Sequence, residues 1–158
     1  MPATGADARS ADGRDVTNPH AAAAAFAEDF RRAEYALKRS GYLRNRDVAE
    51  ADWDRVVRDL GSAFHERVVS MGVAPTLIGR PPRRLMADLT WGPDEPAPLA
   101  NVAQLIVNGM CRVRNSYVHG EKFTGGPEGQ WDRDLALVTE AHAVLTLATD
   151  TLLGRRAE

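Results

Sequence analysis

Apolar residues recur every three or four positions along most of this chain, and no stretch alternates in the one-in, one-out manner of a half-buried strand. That spacing is the mark of amphipathic helices, and it limits the fold more than any other feature of the sequence. Phe26, Phe30, Ala33 and Leu37 form one stripe, with Asn18 placed to cap the helix, Pro19 at its first position and Ser40-Gly41 ending it. Val48 to Met71 predicts a second helix carrying Trp53, Val56, Val57, Leu60, Phe64, Val68 and Met71 on one side. Gly61 inside it weakens it by up to ~1 kcal/mol relative to Ala. A third helix is expected from about Leu99 to His119. A fourth is expected from about Gln130 to Gly154, with Trp131, Leu135, Val138, Ala141, Leu145, Ala148 and Leu152 facing inward. Residues 73–98 interrupt the pattern with six of the nine prolines, so no long helix can run through them. Within them, "RRLMADLTW" suits one short helix or an edge ribbon. Gly125, Gly126, Pro127 and Gly129 mark the last connection. The expectation is an all-α, up-down bundle of four long helices with a Pro-rich crossover segment, spanning residues 19–156. Residues 1–18 are small, polar and without period, and are expected to form a disordered arm.

A length of 158 residues and a hydrophobic fraction of 44% suit a single core. The net charge of −2 provides no global basic field, so any contact with nucleic acid must come from a local patch. Cys111 is the only cysteine, which points to a reducing compartment. No apolar run reaches the ~18 residues of a membrane span. The N-terminus has no apolar signal region. A soluble cytoplasmic protein without a membrane partner is expected.

On a projection at ~100° per residue, Val102, Ile106, Met110, Val113 and Tyr117 line one side of the third helix. Asn108, Arg112, Asn115 and His119 lie opposite, flanked by Leu105, Cys111 and Val118, with Arg114 between the two faces. A face that is polar at its centre and apolar at its margins suits a partner surface or the lining of a site. It leads into "RVRNSYVHGEKF", residues 112–123. Arginines can grip phosphate oxygens in a bidentate fork, and a histidine can shuttle protons near neutral pH. The same residues also fit a plain helix end, with Gly120 as the C-terminal cap and His119 as a cation on the helix dipole.

"RNSYVH", with Arg114, Asn115 and His119, and its continuation "HGEKF" resemble the motif of the HEPN superfamily, small helical bundles that include many metal-independent RNases. "FAEDFRRAEYALKRSGYL", with Glu34, is similar to that family's first helix, so the matching pieces cover two helices. The resemblance implies a homodimer whose two motifs meet across a two-fold axis through the third helix. It implies an endoribonuclease, as a toxin or defence effector, in which the RNA 2′-OH attacks the adjacent phosphorus with neither metal nor other cofactor. Arg114, Asn115 and His119 would be catalytic, and Arg112, Glu34 and Lys122 would support binding. The implied partners are RNA, a second copy of the chain and an antitoxin or defence-system protein. The alternative is a non-catalytic HEPN-like module that dimerises or binds a nucleotide or protein. The near-neutral charge favours this alternative, and the complete Arg-Asn-His set favours the enzyme.

Other residues carry weaker signals. Glu34 is either a buried carboxylate paired with Arg112 or Arg114, or a boundary residue. Arg80, Arg83 and Arg84 suit a solvated loop better than a phosphate contact. His20, His65 and His142 lack ligand spacing, and Cys111 reads as core packing. No Gly-rich phosphate loop is present.

Overall fold

The computed structural model describes residues 18–45, 47–118 and 131–154, so the expected disordered arm lies outside the described residues apart from Asn18. The chain is mostly helical. α1 spans Pro19–Arg39. The Asn18 side chain accepts a hydrogen bond from the His20 amide at 2.8 Å, and Pro19 needs no donor at the first position. At the other end Tyr42 N donates to Leu37 O and Gly41 N to Lys38 O, while Gly41 adopts φ +98°. This paired capping uses the left-handed conformation that glycine reaches without a Cβ penalty.

The second expected helix is two helices, α2 (Trp53–Leu60) and α3 (Ser62–Met71). Gly61 separates them at φ 71°, ψ 176°, a region open essentially to glycine alone. The stripe Val56, Leu60, Phe64 and Val68 nevertheless stays buried across the break. Asp52 starts α2 by accepting from the Arg55 amide. A short α4 follows at Pro75–Gly79. Its N-cap position is Ala74, which has no side-chain acceptor, and the buried Glu140 carboxylate accepts from Thr76 N at 2.7 Å instead. The expected third helix begins at Val102, but Gln104–Cys111 is π-helical and α-geometry returns only in α5 (Arg112–Val118). α6 spans Trp131–Leu153. Of the four long helices expected, α1 and α6 are long and continuous, the second is divided, and the third changes type.

α1 and α6 make the most extensive helix pair, α4 packs on α6, and α5 lies against both α1 and α6. Phe26, Phe30 and Leu37 meet Leu105, Ile106, Met110, Val138, Val144 and Leu145 in one core. Each such side chain contributes about 1.5–3 kcal/mol when fully buried. The wider π-helical turn brings Leu105 and Gly109 to the buried side along with Ile106 and Met110. Gly109 permits a close approach there, because a Cβ would lie 2.8 Å from Leu99 Cδ1. Asp132–Leu153 is long and apolar enough to cross a membrane by length and composition. Leu137, Val138, Ala141, Val144, Leu145, Ala148 and Leu152 are buried in the core, while Leu135, Leu147 and Leu153 are half-buried.

Candidate functional site

The Pro-rich crossover turns back on itself in a small antiparallel ribbon, β1 (Arg84–Leu85) and β2 (Trp91–Gly92), with Arg84 opposite Gly92 and Leu85 opposite Trp91. The ribbon alternative for this stretch therefore holds. Asp88 closes the turn by accepting from both the amide and the hydroxyl of Thr90, bonds that hold its carboxyl below the usual carboxylate range. α6 anchors the segment leading into the ribbon. Arg133 Nη2 donates to the Arg80 and Pro81 carbonyls at 2.9 and 3.1 Å, and Glu140 caps α4.

These anchors set Arg83 and Arg84 against α5. A cavity of about 170 Å³ opens between the ribbon and α5, lined by Arg83, Arg84, Trp91, Arg112, Asn115 and Ser116. Among the described residues no carboxylate lines it. Arg112 is half-buried, and its guanidinium is pushed below its ordinary value by burial first and by the like charge of Arg84 second. It remains cationic, as arginine does throughout the physiological range. Ser116 donates its hydroxyl to the Arg112 carbonyl at 3.1 Å. Arg83 also borders a second cavity of about 570 Å³, lined by Arg80 and Arg133 together with Asp94 and Glu95. Arg133 is pushed down by burial, then by Arg80 and Arg83, with Asp134 opposing, and its Nη1 is buried without a hydrogen-bond partner.

Arg114 turns the other way. Its Cζ lies 4.5 Å from the centroid of the Phe30 ring, a cation–π contact with α1, and its Nε is buried without a hydrogen-bond partner. Glu34 sits one turn beyond Phe30. Among the described residues no ion pair joins it to Arg112 or Arg114, so the paired-carboxylate alternative for Glu34 is not what the structure contains. Cys111 lies nearby. Burial pushes its thiol up to about 12, with Arg114 pulling down and Glu34 pushing up. The motif residues are thus divided. Arg112 and Asn115 face the ribbon, Arg114 faces α1 with Glu34, and His119 and Lys122 lie outside the described residues. Of the apolar margins expected on this helix, Leu105 is fully buried, and the exposed apolar side chain is Val107.

The described histidines have structural partners. His142 Nε2 pairs with Asp29 Oδ2 at 2.6 Å, tying α6 to α1, and His65 Nε2 lies 3.0 Å from the Leu99 carbonyl oxygen. His20 meets the Tyr117 ring edge-on at 6.1 Å. Burial, and then Asp134, push the Tyr117 hydroxyl well above its ordinary value. Among the described residues no group of His, Cys, Asp or Glu is arranged to hold a metal ion. The residues that sequence reasoning passed over are Trp91 and Arg133, and it assigned Arg83 and Arg84 to a solvated loop. The available signal was the density of arginine in "GRPPRRL", residues 79–85. Compared with family models, curated proteins and solved structures, the chain shows no match.

Proposed function

We propose that the chain is a metal-independent endoribonuclease of HEPN type, acting at the C-terminal part of α5. The observation that carries this reading is the cavity, without a carboxylate among the described residues, in which Arg112 and Asn115 join Arg83 and Arg84, on a chain whose net charge is −2. Concentrating guanidinium groups there creates a local anion site in an otherwise near-neutral molecule. His119 follows Asn115 by four residues in the sequence. In the reaction the RNA 2′-oxygen attacks the adjacent phosphorus and gives up its proton. The bond from phosphorus to the 5′-oxygen breaks, and that oxygen receives a proton. The products end in a 2′,3′-cyclic phosphate and a 5′-hydroxyl. His119 moves the protons, arginine stabilises the charge on the phosphorane, and a second copy of the chain completes the site across a two-fold axis. Mapping the termini of cleaved RNA tests this reading, which requires the cyclic phosphate and excludes a 3′-hydroxyl.

The second reading is a nucleic-acid-binding module without catalysis. It is favoured by the orientation of Arg114, whose guanidinium packs on Phe30 rather than beside Asn115.

A further inference from the structure

Trp91 and Arg84 come from the ribbon, and Arg112, Asn115 and Ser116 from α5, yet together they wall one cavity. Three guanidinium groups converge there with no carboxylate among the described lining residues, an arrangement whose mutual repulsion an anion would relieve. An indole shares the wall. That indole is half-buried, and arginines beside an aromatic ring are one way proteins hold single-stranded nucleic acid, with phosphates on the cations and bases stacked on the ring. A volume of about 170 Å³ admits a phosphodiester or a base edge. Arg83 borders both cavities, and in the larger one Arg80 and Arg133 stand beside Asp94 and Glu95.

We propose that the ribbon is a substrate-holding element for single-stranded RNA: Arg83, Arg84 and Arg112 bind one phosphate, and Trp91 stacks a neighbouring base. The inference rests on the reading of this face as RNA-facing, and it adds a part that the motif on α5 does not contain. An acidic peptide would use the same arginines but would have no use for the indole.

The test is binding of a single-stranded 2′-O-methyl oligonucleotide, which lacks the attacking hydroxyl and so reports binding apart from cleavage. Arg84→Ala should weaken binding and lower the slope of log affinity against log salt by up to about 0.7, the value for complete loss of one single-strand phosphate contact. Trp91→Leu, which preserves apolar packing in the ribbon, should weaken binding roughly 5- to 150-fold, the range of one lost base stack, with the salt slope unchanged. Trp91→Phe should recover most of it. Binding that follows this pattern with no cleavage of ordinary RNA upholds the inference and overturns the nuclease reading. Arg84→Ala and Trp91→Leu binding like wild type, while Arg112→Ala is impaired, overturns the inference and leaves the reading of α5 standing. Displacement of the oligonucleotide by polyglutamate at equal charge concentration also overturns it, in favour of an acidic protein partner.

Discussion

Replacing Glu140 by Ala removes the carboxylate that caps α4 from a neighbouring helix. The carboxylate is buried and accepts from Thr76 N at 2.7 Å, at a helix start where Ala74 offers no acceptor of its own. A hydrogen bond to a charged group contributes about 1.5–3 kcal/mol, and the truncation also strands a partly buried amide. The expected loss is about 2–3 kcal/mol, or about 4–12 °C in melting temperature for a chain of this size. Glu140→Gln keeps an acceptor in place and loses only the charge, so it should retain roughly half of that. The consequence extends to the candidate site, because α4 leads directly into Arg80 and the ribbon. Thermal and urea melts of wild type, Glu140→Ala and Glu140→Gln check the magnitude, and oligonucleotide binding checks the link. An Ala variant within about 0.5 kcal/mol of wild type, or a Gln variant no better than Ala, would refute the argument that α6 supplies the missing cap.

Four further outcomes are expected. Gly61→Ala should cost about 1–3 kcal/mol in a urea melt, because φ 71°, ψ 176° is closed to a residue with a Cβ. Cys111 should resist iodoacetamide at pH 8 in the folded chain and react in urea, since burial holds the folded thiol up to about 12. Its folded value lies above the unfolded value of about 8.5, so its contribution to stability is complete below pH 8.5 and is lost progressively as the pH rises toward 12. A Cys111→Ala variant should show a flatter alkaline stability profile than wild type over that window. Light scattering at tens of micromolar, above the dissociation constants of ordinary dimers, should show a dimer of the wild-type chain, and a monomer there would remove the composite site.

The sequence was most readable where the determinants are local. α1 shows its cap, its first proline, its apolar stripe and its glycine stop in consecutive residues, and its boundaries follow from them. The division between α2 and α3 was hidden because Val56, Leu60, Phe64 and Val68 keep helical spacing through the break, so periodicity carried no trace of the backbone turn at Gly61. The third helix was projected at a uniform α-helical angle. The π-helical Gln104–Cys111 violates that assumption, and it is why Leu105, assigned to the margin, lies fully in the core. Arg114 was left between two faces, and Phe30, 84 positions earlier, decides between them. The arginines of "GRPPRRL" were visible as a cluster, but their partners Arg112 and Asn115 come from another element, and only the fold of the crossover brings the two together.

The measurement closest to the central claim is single-turnover cleavage of single-stranded RNA by the full chain with EDTA present, comparing wild type with His119→Ala and Arg114→Lys. The account predicts cleavage by wild type, a loss of about 10²–10⁴ in rate for His119→Ala with the fold unchanged, and a large loss for Arg114→Lys, which keeps the charge but not the planar fork. Cleavage that stops with EDTA, or His119→Ala cutting as fast as wild type, would contradict it.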